Sequence, residues 1–182
     1  MNRRHAVSAL ALALSLAASG AARAADDNTV YLDTKDGRVT IELRSDIAPK
    51  HAKQIKTLTA QGFYDGLKFH RVIDGFMAQT GDPKGNGTGG SSLPNVPAEF
   101  SSAGFRRGTV GMARSSDPNS ANSQFFICLA DAPFLNGQYT VVGVVTDGMD
   151  VVDKIKKAAP GAPGGSVQNP DKIVKMSLAK AR

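Results

Sequence analysis

With 182 residues, 41% of them apolar and 21% charged, the chain has the size and composition of one folded domain. That apolar share excludes the disordered and fibrous classes. A lone Cys128 excludes an internal disulfide and a cysteine-based zinc site, and His5, His51 and His70 form no metal-ligand spacing. The net charge of +6 needs correcting before it is read as a partner signal, because part of it sits in the first residues.

Asn2-Arg3-Arg4-His5 is a short basic start, followed by the apolar run Ala6 to Ala18 and by Ala22-Arg23-Ala24. This is the pattern of a secretory signal peptide covering residues 1–24 with cleavage after Ala24. The run is 13 residues, too short to span a bilayer as a helix. No Cys follows it, so no membrane anchor is expected. Cleavage leaves residues 25–182 as a single domain with 19 basic against 16 acidic residues, a charge of +3. The remaining Lys and Arg are scattered, and Lys154, Lys156 and Lys157 read as a solvated helix face. A nucleic-acid partner would require a dense basic stripe with aromatics, so none is expected.

Val30–Thr34 and Val39–Leu43 alternate apolar and polar, as strands do, with Asp36-Gly37 as the hairpin signal between them. Pro49 opens a helix whose apolar face is Ala52, Ile55 and Leu58, ended by Gln61-Gly62. His51 reads as a solvated residue on that helix. Lys68–Ile73 and Phe76–Thr80 read as strands around Asp74-Gly75. Residues 81–98 are loop. Thr109–Ala113 is a short strand, residues 114–122 a polar loop, and Gln124–Leu129 a strand buried on both faces. Thr140–Thr146 is a further strand. Met149, Val152 and Ile155 mark a second helix, stopped by Ala159-Pro160-Gly161, and Ile173–Leu178 closes the chain as a strand. Seven or eight strands without βαβ alternation imply a mainly β fold, an antiparallel sheet or closed barrel capped by two helices.

Familiar catalytic signatures are missing. There is no Gly-x-Ser-x-Gly elbow. Gly85-Asn86-Gly87-Thr88-Gly89-Gly90 lacks the Lys-Ser/Thr ending of a phosphate loop, and Leu93 stands where a calcium loop requires Glu. What remains is Phe69-His70-Arg71-Val72-Ile73, then Gly75-Phe76-Met77-Ala78-Gln79, Gly111-Met112-Ala113-Arg114, Ser123-Gln124-Phe125-Phe126-Ile127 and Phe134-Leu135-Asn136-Gly137. In this order and spacing the segments resemble the cyclophilin family of peptidyl-prolyl cis-trans isomerases, over about residues 28–180. The signal sequence makes the chain most similar to bacterial periplasmic cyclophilins.

The resemblance implies a closed eight-stranded antiparallel barrel with a helix at each end and the site on its outer face. It places the catalytic arginine at Arg71, with Phe76 and Gln79 beside it. It places an apolar substrate pocket on Phe76, Met77, Phe126, Phe134 and Leu135, and peptide contacts on Gln79, Gln124, Ala113 and Arg114. Gly87 and Tyr139 border the groove. Of the adjacent Phe125 and Phe126 only one can face inward from a strand. Phe125 is expected in the core and Phe126 exposed in the groove. His70 is expected to be a structural, hydrogen-bonded neighbour, and Cys128 a small buried hydrophobe.

The implied activity is rotation about X-Pro bonds in loosely folded exported polypeptides, by a periplasmic or secreted monomer that requires no metal or cofactor. The competing reading is a non-catalytic proline-peptide binding module or holdase using the same groove. The sequence departs from the familiar eukaryotic members at Phe134, Tyr139 and Arg114, where they carry Trp, His and Asn. Phe lacks the indole N–H donor, so weak cyclosporin binding is expected.

Overall fold

The computed structural model describes residues 28–179. The signal peptide expected over residues 1–24 lies outside the described residues. Among the described residues eight strands and two α-helices follow one another: β1 (Thr29–Thr34), β2 (Gly37–Leu43), α1 (Pro49–Ala60), β3 (Arg71–Ile73), β4 (Met77–Thr80), β5 (Thr109–Met112), β6 (Phe125–Cys128), β7 (Val141–Asp147), α2 (Met149–Lys154) and β8 (Lys175–Leu178). Short 3₁₀ turns sit at Pro133–Leu135 and Pro163–Gly165.

The strands form one antiparallel sheet in the order β3-β4-β6-β5-β7-β2-β1-β8. It curls into a half-barrel, and its ladder stays open between β3 and β8, which corrects the expected closed barrel. The reason lies in how these edges spend their backbone groups. Beyond β3, Val167 N–H donates to His70 C=O at 3.0 Å and Ala158 N–H to Val72 C=O at 2.9 Å. The segment before β3 meets the segment before β8 at one isolated antiparallel bridge, Lys68 opposite Lys172, made by Phe69 N–H to Asp171 C=O and Ile173 N–H to Leu67 C=O, 2.9 Å each, and it does not extend into a ladder. Loops therefore cover the β3 edge, and strand closure is not needed to protect it.

Side-chain alternation divides the apolar residues into two clusters. Val30, Leu32, Val39, Ile41, Val110, Phe125 and Ile127 fill the inner face, with Ile55 and Leu58 of α1 and Val151 and Val152 of α2 packed on them. The outer face carries a second cluster of Met77, Phe105, Phe126, Cys128, Ala132, Leu135 and Val141. β6 is thus buried on both faces, as its continuous apolar run predicts. Cys128 is fully buried, and burial pushes its thiol up to about 12, so it is an inert hydrophobe.

Three local expectations change. The first hairpin turns on Lys35-Asp36, since Thr34 pairs with Gly37; the Thr34 hydroxyl accepts the Asp36 N–H at 3.1 Å and so stabilises the turn one residue earlier than Asp-Gly. α2 ends at Lys154 because Ile155 leaves helical dihedrals, and the next N–H groups go elsewhere, Lys156 to the Asp171 carboxylate at 2.8 Å and Ala158 to Val72. His51 is buried, and its Nδ1 lies 2.6 Å from Glu99 Oε2. The same carboxylate accepts the Lys50 and His51 main-chain N–H groups at 3.1 Å each, so α1 is capped by a residue 48 positions away.

Candidate active site

Cross-strand pairing aligns one row of residues on the outside of the sheet: Arg71 opposite Gln79, Gln79 opposite Phe126, and Phe126 opposite Gly111. A second row sets Ile73 opposite Met77 and Met77 opposite Cys128. Residues opposed in this way share a face, so strand register alone brings Arg71, Gln79 and Phe126 together from 55 positions of sequence. Gly111 is required in this row. A Cβ there would lie 2.5 Å from the Phe126 ring and 2.6 Å from that of Phe105, which stack at 5.8 Å over the bare glycine.

Over this row opens a cavity of about 410 Å³. Arg71 and Gln79 form its polar side, while Phe76, Met77, Phe126, Phe134, Leu135 and Tyr139 supply apolar walls. Met77, Phe126 and Leu135 form the floor and are almost wholly covered, 1%, 5% and 8% exposed. Phe126 therefore faces outward as expected but is not exposed, because Phe105 and Tyr139 pack against its ring. Phe134 is 62% exposed and stands at the mouth against Phe76, with ring centroids 5.4 Å apart. A second cavity of about 210 Å³ adjoins the first through Gln79, Ala113 and Arg114, and Gly87 and Gln124 border it. All the residues singled out from the sequence thus line one of these two connected hollows.

Arg71 is fixed at three points. Its Nε donates to Gly164 C=O at 2.7 Å, and Nη1 donates to Gln79 Oε1 at 3.2 Å and approaches Met77 Sδ at 3.8 Å. Nη2 has no partner among the described residues, so its two N–H donors remain unspent. Burial pushes the guanidinium pKa down from its ordinary value. It nevertheless stays cationic at any physiological pH. Gln79 continues the chain, donating from Nε2 to Gln124 Oε1 at 2.9 Å, and Gln124 Nε2 donates to Gly89 C=O at 2.8 Å and Gly87 C=O at 3.1 Å. Gln124 was expected to hold substrate directly. Its amide also ties the glycine loop to Gln79 while it lines the smaller cavity.

That loop is stiffened from below by Asp82, whose carboxylate accepts the N–H groups of Lys84, Asn86 and Gly87. Asp82 is held below the usual carboxylate range: burial raises it, and the sum of these backbone bonds outweighs burial. His70 is buried beside the Lys68 main chain, and neither ring nitrogen makes a well-aligned hydrogen bond among the described residues. Its side chain lies beneath the glycine loop, Nε2 3.8 Å from where a Gly87 Cβ would stand, and burial pushes its pKa down from the ordinary value.

Sequence reasoning missed three contributors. Gly164, in an irregular Pro/Gly loop, holds Arg71 with a carbonyl, and no side chain announces that. Gln138 lines the cavity, and its carbonyl accepts from Arg114 Nη2 at 2.9 Å. The main-chain N–H and C=O of Arg114 make no hydrogen bond among the described residues, leaving one donor and one acceptor open at the edge of the groove. Only coordinates reveal such groups.

The fold and this groove define a cyclophilin-like protein, and comparison with known sequences agrees. Residues 29–178 match the family model described as cyclophilin type peptidyl-prolyl cis-trans isomerase/CLD, and the chain belongs to that family of enzymes. Among relatives, a probable peptidyl-prolyl cis-trans isomerase of Brucella suis biovar 1 is 61% identical over 92% of this chain and 91% of its own length. The peptidyl-prolyl cis-trans isomerase CYP18-1 of Arabidopsis thaliana is 44% identical over 75% of this chain and 86% of its own. Among solved structures, a Cryptosporidium parvum cyclophilin crystallised in the presence of the dipeptide Ala-Pro superimposes with a TM-score of 0.75 at 31% identity, covering 84% of this chain and 99% of that one. A cyclophilin of Hirschia baltica superimposes with a TM-score of 0.73 at 30% identity, covering 84% of this chain and 74% of that one.

Proposed function

We propose that the enzyme rotates X-Pro bonds in loosely folded exported polypeptides, with Arg71 as the catalytic residue and the 410 Å³ cavity as the proline seat. The observation that carries this reading is a guanidinium fixed on three sides beside an apolar floor, with one nitrogen unspent.

The X-Pro amide loses its resonance at about 90° of twist, against a barrier of ~18–20 kcal/mol. No bond to a heavy atom forms or breaks, so no nucleophile takes part. In the twisted state the proline nitrogen is pyramidal and carries a lone pair that the planar forms do not present. A donor aimed at that lone pair stabilises the transition state selectively, and each ~1.4 kcal/mol so gained is about tenfold in rate. Arg71 Nη2 is that donor. Because Gly164, Gln79 and Met77 already hold the side chain, little ordering remains to be done at the moment of reaction. Phe126, Met77 and Leu135 grip the proline ring, and Phe76, Phe134 and Tyr139 shield it from water. The unpaired main-chain groups of Arg114 and the remaining donor of Gln79 hold the flanking peptide while the other side turns.

The basic start, short apolar run and Ala-Arg-Ala site support export, with action in the periplasm or beyond as a monomer on unfolded, proline-containing clients. N-terminal sequencing of protein recovered from the periplasm should begin at Ala25; full-length protein confined to the cytoplasm contradicts it. For the chemistry, isomerase rates on an X-Pro peptide compare the wild type with Arg71→Ala. Turnover lost with retained peptide affinity supports catalysis by Arg71. Peptide binding with no turnover in the wild type identifies a holdase instead.

A further inference from the structure

The groove carries an unbalanced charge. Arg38, Arg44 and Arg107 each close on a carboxylate, Asp33, Asp46 and Asp153, at 2.7 Å. The two arginines that line the groove do not. Arg71 meets only a carbonyl, an amide oxygen and a thioether. Arg114 donates only to main-chain carbonyls, Gln138 through Nε and Nη2, Ser115 and Ser116 through Nη1. No Asp or Glu lines either cavity. The buried carboxylate of Asp82 accepts N–H groups of its own loop, Asp117 Oδ1 accepts the Asn119 N–H at 2.8 Å, and neither forms a salt bridge with Arg71 or Arg114.

Arg114 occupies the junction of the two cavities and lines both. Its guanidinium lies over the Tyr139 ring, Cζ 4.5 Å from the centroid, so one face is against an aromatic and is shielded from water. The smaller cavity beside it is lined by polar groups: Thr88, Ser115, Ser120 and Asn122. A peptide with proline seated in the larger cavity has to run past Arg114, and one extended residue advances about 3.3 Å, so side chains within two or three positions of proline reach this junction. A partly shielded cation without a counter-ion attracts an anion more strongly than one in bulk water.

We infer that Arg114 is a specificity-determining residue that selects client segments bearing a carboxylate, Asp or Glu, within two or three residues of the proline. This rests on the isomerase reading above. A cationic side chain at the same place is repelled by Arg71 and Arg114 together, which biases the enzyme against lysine-rich segments.

The test uses one X-Pro peptide series carrying Glu, Gln or Lys at each of the three positions on either side of proline. At low ionic strength kcat/KM should be about two- to fivefold higher for Glu than for Gln at one or two of these positions, the size of a partly exposed ion pair. Lys should be the poorest. The Glu-to-Gln ratio should shrink as salt is raised, since charge attraction is screened. In Arg114→Gln the ratio should collapse toward one, and in Arg114→Lys it should be partly restored. Equal rates for Glu and Lys in the wild type overturn the proposal, as does an unchanged ratio in a folded Arg114→Gln. Peptide affinities measured by NMR titration of the wild type give the same charge comparison without turnover. A preference in affinity with no turnover would therefore sink the isomerase reading and leave the selectivity standing.

Discussion

Arg71 carries the proposed chemistry, and its surroundings say what replacing it should do. It is half-buried, with neutral partners, so truncation removes a cation that burial disfavours and leaves Gln79 and Gly164 to water. Arg71→Ala should lower kcat/KM by about 10²–10³-fold, the usual cost of losing one transition-state donor, while thermal unfolding hardly moves. Arg71→Lys should fare nearly as badly, because a single ammonium cannot reach Gly164 and Gln79 and still present a free donor. Phe134 makes a different prediction. Its ring is 62% exposed at the mouth and carries no donor. Phe134→Trp should bind cyclosporin markedly more tightly in an inhibition assay, with isomerase rates within a few-fold of wild type. Equal inhibition of both proteins would show that the indole N–H is not the missing element.

At the scale of elements, β6 does the most. Phe125 and Ile127 point into the half-barrel, while Phe126 and Cys128 point into the outer cluster, so one four-residue strand builds both the core and the floor of the groove. Neighbouring β5 serves it through Gly111. A methyl at that position meets two aromatic rings at 2.5–2.6 Å and must displace Phe126, since Phe105 is fully buried behind it. Gly111→Ala should therefore cost about 1–3 kcal/mol of stability in urea unfolding. It should also lower activity on every peptide, through a higher KM, since the floor of the proposed proline seat moves. Strand alternation made the two-faced nature of β6 legible in the sequence. The second helix was misjudged because its apolar spacing continues to Ile155, whereas its end is fixed by Asp171 and Val72, residues that only the fold brings near.

Across the whole molecule, buried titratable groups set the response to pH. His51 and His70 are both lowered from the ordinary 6.5, chiefly because burial disfavours the imidazolium, with Glu99 opposing this at His51 and Asp82 at His70. The unfolded chain therefore takes up protons first as the pH falls. Stability is full above about 6.5 and declines as pH drops below it. Glu99 and Asp82 are also lowered, so a further loss follows at more acidic pH, when the cap on α1 and the brace of the glycine loop are protonated. Urea midpoints measured from pH 8 to 4 should fall monotonically, and His70→Asn should flatten the segment between pH 7 and 5. A midpoint that rises on acidification would contradict this assignment.

The sequence by itself determined the number and order of most strands, the two-faced burial of β6 and the set of side chains that gather at the groove. It could do so because alternation is a local property of a strand, and because the groove's side chains lie in a few short segments whose order resembles a known family. Only the tertiary structure decided that the sheet stays open between β3 and β8, that His51 is buried against Glu99, that Gln124 ties the glycine loop to Gln79, and that a carbonyl of Gly164 aims Arg71. These depend on main-chain groups and on partners tens of residues away, and neither composition nor periodicity carries information about where such partners meet.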